Sequence, residues 1–142
     1  ELGRRVNGAA SALGELAQDL DAIKESLVRS TADQSVYAQA HALQQKANRL
    51  SMVINGNAKR QMMGGGGQLS ISARLGVAAI GARATAYGPT QTQRDSLAIA
   101  EEAFSALEPD LDALVNKELP ALKGQMNTMG VPWTPGRGVP QL

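Results

Sequence analysis

The residues that could do chemistry are few, and their spacing does not assemble a site. His41 is the sole histidine, so any imidazole base or metal ligand would have to be this residue. It falls between Ala40 and Leu43 on a helical pattern, and the positions four away are Tyr37 and Gln45, neither of which completes a metal pair. His41 therefore reads as an exposed or half-buried helix residue. The carboxylate pairs Glu101–Glu102 and Asp110/Asp112 stand one and two residues apart. Such neighbours diverge around a helix and cannot readily share a proton or clamp one metal, so they read as a solvated face. Gly64 to Gly67 lack both the preceding strand and the following Gly-Lys-Ser/Thr of a phosphate cradle. Serines and threonines have only His41 to activate them. The absence of cysteine excludes thiolate zinc sites, disulfides and a cysteine nucleophile. No catalytic, cofactor-binding or metal-binding residue is assigned, and the chain is expected to be no enzyme.

One aromatic residue stands apart. Trp133, the single tryptophan, lies in a proline-bracketed segment, Val131-Pro132-Trp133-Thr134-Pro135-Gly136-Arg137. A large amphipathic ring on a stiff, non-helical segment seats itself in a groove. That groove is either the open end of its own helices or the surface of another domain or subunit. Pro132, Trp133, Thr134, Pro135 and Arg137 are accordingly the candidate partner-binding residues. Pro135-Gly136 suits the centre of a type II turn.

The whole-chain numbers narrow the partner. Fourteen Lys+Arg against thirteen Asp+Glu leave a formal charge of +1 over 142 residues, which gives no electrostatic footprint for nucleic acid or an anionic membrane. One Trp, two Tyr and one Phe are too few aromatics for a single-strand stacking platform. Lys59-Arg60 is too short a basic run for nucleic acid. No apolar run is long enough to span a bilayer. The expected partner is protein, with homo-oligomerisation as one form of it.

The elements that must position these residues are helical. Ala and Leu dominate, while β-branched and aromatic residues are sparse. Leu2, Val6, Ala9, Leu13, Leu16, Leu20, Ile23 and Leu27 alternate four and three apart, the spacing of a packed helical seam, and predict a first helix to residue 29. Ser30 and Thr31 interrupt it, and Thr31 with Gln34 reads as a capping box. Val36, Ala40, Leu43, Ala47, Leu50 and Ile54 repeat the spacing in a second helix. So short a link predicts an antiparallel hairpin over residues 1–57. Residues 58–68, with four successive glycines, predict a flexible loop. Leu69 to Tyr87 predict a third, tightly packed helix rich in small residues, with a stripe of Ile71, Leu75, Ala78, Ala79 and Ala82. Thr90 with Gln93, or Thr92 with Asp95, caps a fourth. Its seam is Leu97, Ala100, Phe104, Leu107, Leu111 and Leu114, resuming after a register shift at Leu119, Leu122, Met126 and Met129. Pro109 and Pro120 inside it predict a kink or break. The expected fold is all-α: a hairpin plus two further helices over 69–129, closing into a roughly four-helix bundle, with an extended Pro/Gly-rich tail over 130–142.

Three stretches carry a resemblance: Gly88-Pro89-Thr90-Gln91-Thr92-Gln93-Arg94-Asp95, then Glu118-Leu119-Pro120-Ala121-Leu122, then Gly130-Val131-Pro132-Trp133-Thr134-Pro135-Gly136-Arg137. They resemble the C-terminal end of large bacterial sortilin-like β-propeller proteins, which carry neuraminidase-type (BNR) repeats and are often labelled glycosyl hydrolases. The helical hairpin resembles the part that follows their propellers, and the most specific part of the likeness is residues 89–137. It implies an accessory helical module of an exported parent (periplasmic, outer-surface or secreted). Any sugar or peptide site would then belong to the propeller, so no hydrolase role passes to a residue of this chain. The four-glycine loop departs from the proline-rich linker that the resemblance implies. Glu1 opens the chain without Met, as expected of a segment processed or cut from a longer protein. Two other readings accompany this one: a structural subunit that self-associates, and a fragment of a hydrolase whose active site lies elsewhere.

Overall fold

The computed structural model describes residues 1–84 and 88–138. Among them every regular element is helical. The elements are α1 (Leu2–Val28), α2 (Gln34–Asn55), α3 (Ala58–Met62), α4 (Ile71–Ala84), α5 (Gln91–Ala113), a π-helical turn (Leu114–Glu118) and α6 (Leu119–Thr128). The chain forms two compact units. One comprises Glu1–Ala10 with Leu50–Pro109, the other Ser11–Arg49 with Asp110–Leu142.

The heptad spacing of α1 translates directly into burial. Val6, Ala9, Leu13, Leu16, Leu20, Ile23 and Leu27 are all buried, Leu20 completely. Val36, Ala40, Ala47, Leu50 and Ile54 do the same for α2, with Leu43 half-buried. Most of the remaining positions of both helices are polar or small, with Val28, Met52 and Val53 as exposed exceptions, so each has one main apolar stripe. In the first unit, Arg5 lies 5.4 Å from the centroid of the buried Phe104 ring and pairs with Glu108. In the second, Lys24 donates to Gln44 Oε1 at 2.6 Å and lies 5.7 Å from the Tyr37 ring centroid. Lys46 pairs with Glu118 at 2.8 Å and Lys123 with Asp19 at 2.7 Å. The acidic stretch Glu101–Glu118 thus finds bases from α1 and α2.

The helix starts show which caps win. Asp33, not Thr31, caps α2: its Oδ1 accepts the Ser35 N–H at 3.0 Å, and the helix begins one residue later. The short Asp side chain adjacent to the first turn reaches the free amides that Thr31, two residues further back, does not. Ser70 caps α4 by accepting the Ala73 N–H at 3.2 Å. For α5, Thr90 and Gln93 form the reciprocal pair. Gln93 Oε1 accepts the Thr90 N–H at 2.7 Å, and Thr90 Oγ1 accepts the Gln93 N–H at 3.4 Å.

Three expectations need correction. The segment 58–68 is not loop throughout, because Asn57 Oδ1 accepts the Arg60 N–H at 3.2 Å and starts the one-turn helix α3. The third helix is not tightly packed along its stripe. Ile71 is buried, Leu75 and Ala78 are half-buried, and Ala79 and Ile80 are exposed. Its apolar residues surround the helix instead of gathering on one face, so they cannot all turn inward. Residues 85–87, the expected end of that helix, and 139–142 of the tail lie outside the described residues, as does the Ala82 side chain. On α5 the inward position near the start is Ser96, while Leu97 is 38 % exposed.

The register shift of the last seam has a structural form. Leu114 and Leu119, both buried, bracket the π-helical turn, and the Leu119 N–H donates to the Leu114 carbonyl five residues back. Pro120 sits in the first turn of α6. It has no N–H to give, and in an α-helix its ring would crowd the carbonyl of Asn116. One extra residue in the turn accommodates both and rotates the seam into register. Pro109 lies within α5, which continues as α-helix to Ala113.

Candidate functional site

The segment that follows α6 is non-helical from Gly130 to Gly138, and its conformation follows from its residues. Gly130, with φ +67°, lets the chain leave the helix, and the Val131 N–H returns to the Met126 carbonyl at 3.1 Å. Pro135 and Gly136 form the centre of a turn. Gly136 has φ +80°, and the Arg137 N–H donates to the Thr134 carbonyl at 3.2 Å. This is the type II pattern, in which the third position needs a left-handed residue. A Cβ on Gly136 would stand 2.9 Å from Lys123 Nζ and 3.2 Å from Asp19 Oδ2, so the turn is also seated closely on the Lys123–Asp19 pair.

The turn brings Arg137 back under the segment. Its guanidinium is buried and donates four hydrogen bonds. Nε and Nη2 donate to Asn127 Oδ1 at 2.8 and 2.6 Å, and Nη1 donates to the carbonyls of Val131 at 3.2 Å and Pro132 at 2.6 Å. Burial pulls its pKa below the ordinary arginine value, yet the guanidinium remains a cation at neutral pH. A planar five-donor group can close such a network where an ammonium cannot. Ser26 Oγ on α1 donates to the Pro132 carbonyl at 3.0 Å, fastening the segment to a second helix. Thr134 is buried, and its hydroxyl oxygen has no hydrogen-bond partner among the described residues.

Trp133 is held by the same network but points outward. Its indole N–H donates to the Arg137 carbonyl at 3.0 Å, and the residue remains 56 % exposed. Beside it runs a shallow groove lined by Ala22, Glu25 and Ser26 of α1, by Arg29 just after it, and by Pro132 and Thr134. Of the five residues singled out in the sequence, Pro132, Trp133 and Pro135 are exposed, whereas Thr134 and Arg137 turn inward. Arg137 is thus an anchor of the segment and not a surface contact. The signal for this was present in part: a type II turn at 134–137 directs residue 137 back toward the helix that precedes it. Its acceptor, Asn127, carried no distinguishing pattern.

Elsewhere, His41, Glu101, Glu102, Asp110 and Asp112 are exposed on their helices. Among the described residues no cluster of three or more His, Cys, Asp or Glu side chains could hold a metal, and no helix is long and apolar enough to cross a membrane. Comparison with protein-family models, curated proteins and solved structures finds no match to this chain.

Proposed function

We propose that this chain is a non-catalytic helical assembly module whose contact face is centred on Trp133. The observation that carries the reading is the combination at that residue: a backbone pinned by Arg137, Asn127 and Ser26, and a ring left 56 % exposed. A rigid, exposed aromatic loses little conformational freedom when covered, which favours it as an anchor. Pro132 and Pro135 flank it on the same segment.

The architecture that suits this role is an antiparallel α1–α2 hairpin joined by two further helices in a roughly four-helix bundle. The five-residue link from 29 to 33, the two buried seams, and the bonds of Gln44 to Lys24 and Asp21 support the hairpin. The resemblance of residues 89–137 to the end of bacterial sortilin-like propeller proteins supplies the partner: the β-propeller of an exported parent, in which any hydrolase activity would reside. Self-association is the second reading. It cannot use the seams of α1 and α2 without opening the core, because those residues are already buried.

The coding sequence upstream of Glu1 tests the context, and should contain several β-blade repeats. That upstream region, purified and mixed with the 142-residue chain, should form a complex that Trp133→Ala weakens. Unchanged affinity for the variant would refute the contact face. A concentration-dependent dimer by light scattering, lost with the same substitution, would transfer the face to self-association.

A further inference from the structure

A protease that reads basic side chains has fourteen lysines and arginines to choose from in this chain. It must draw the backbone out in extended form on both sides of the bond, so the fold decides which of them it can use. The bases of α1, α2, α4, α5 and α6 lie in helices of 10 to 27 residues, and opening any of these breaks a cooperative element. Lys117 lies in the π-helical turn with helix on either side. Arg29 follows α1, but its side chain pairs with Glu25, and the short link beyond it is closed by Ser30 Oγ to the Leu27 carbonyl and by Asp33 on Ser35. Arg137 is buried in its network of acceptors.

Lys59 and Arg60 differ in exposure and in the length of their helix, although their carbonyls accept the Met63 and Gly65 N–H groups at 3.2 and 3.0 Å. Both are exposed and sit on α3, a helix of 5 residues, far below the length at which a helix is stable by itself. From its last residue, Met62, to Leu69 everything is exposed, with Met62 at 89 % and Met63 at 87 %. Gly64 to Gly67 present no side chains to resist an extended conformation. Exposed segments of this kind are where nicking concentrates.

We propose that residues 58–69 form a cleavage site for a trypsin-type serine protease, cut after Arg60 or Lys59 to give a two-chain form of the same fold. Hydrolysis breaks the C–N bond of Arg60–Gln61. Water supplies the hydroxyl to the Arg60 carbonyl carbon and the proton to the new amino terminus, and no other reactant is consumed. The halves stay together because contacts straddle the cut: Arg5 with Glu108, Asp19 with Lys123, Lys46 with Glu118, and Ser26 with the Pro132 carbonyl.

Limited digestion of the full chain with trypsin in native buffer, followed by mass spectrometry, tests this. The first cut should fall after Lys59 or Arg60, and the two fragments should co-elute in size exclusion with the helical circular dichroism retained. The double variant Lys59→Gln/Arg60→Gln should slow the first cut at least tenfold. A first cut at Arg29, Arg137 or within a long helix, separation of the fragments, or an unchanged rate for the double variant would overturn the proposal.

Discussion

Arg137 donates twice to a single acceptor, Asn127 Oδ1, from Nε at 2.8 Å and Nη2 at 2.6 Å. This bifurcated contact ties the last described turn of the chain to the end of α6. Truncation by Arg137→Ala would leave the Asn127 oxygen and the Val131 carbonyl short of donors and remove a packed side chain. The expected loss is about 1.5–3 kcal/mol, the range for buried hydrogen bonds to a charged group. Arg137→Lys keeps the charge but not the fork, and should also be less stable than the parent. Urea unfolding followed through Trp133, the only tryptophan, reads both, and an unchanged midpoint for Arg137→Ala would remove the anchor from the account.

Gly136 tests the same turn from the backbone side. With φ +80°, an alanine there incurs the left-handed penalty of about 1–2 kcal/mol. Its Cβ would also press on Lys123 Nζ, although the end of a lysine can move aside. Thermal unfolding of Gly136→Ala should show a lower midpoint, with most of the loss due to φ. A Gly136→Asn variant, which tolerates the left-handed region better, should recover part of it.

At the start of α5 two threonines compete for one role, and only Thr90 exchanges hydrogen bonds with Gln93. Thr90→Ala should cost about 1 kcal/mol, whereas Thr92→Ala should stay within about 0.5 kcal/mol of the parent. Hydrogen exchange at the first-turn amides of α5 should accelerate in the first variant and not in the second. Equal effects would mean that the capping box does not set this boundary.

The parts of the fold legible in the sequence were those with a repeated signal. The seam from Val6 to Leu27 is buried at every step, because a heptad repeat supplies many concordant residues. The shift between Leu114 and Leu119 was readable as a gap of five, and its structural form, a π-helical turn, follows from Pro120. Single-residue signals were less decisive. Thr31 and Asp33 both suit a cap, and adjacency decided for Asp33. Asn57 starts a short helix that the glycines following it hid, whereas Ser70 caps the third helix close to its predicted start at Leu69. Trp133 was conspicuous in the candidate site, and the Pro135-Gly136 turn marked the return of Arg137 in part, but nothing in the pattern singled out its acceptors, Asn127 and the Val131 and Pro132 carbonyls.

The contact face is tested most directly by hydroxyl-radical labelling of Trp133 in the 142-residue chain alone and in the chain joined to the region upstream of Glu1. Covering the exposed half of the ring removes roughly 100 Å² from water, worth about 2.5 kcal/mol at about 25 cal/mol per Å². Labelling of Trp133 should therefore fall several-fold on joining, while the buried Met126 stays equally protected in both. Equal labelling of Trp133 in the two forms would contradict the account.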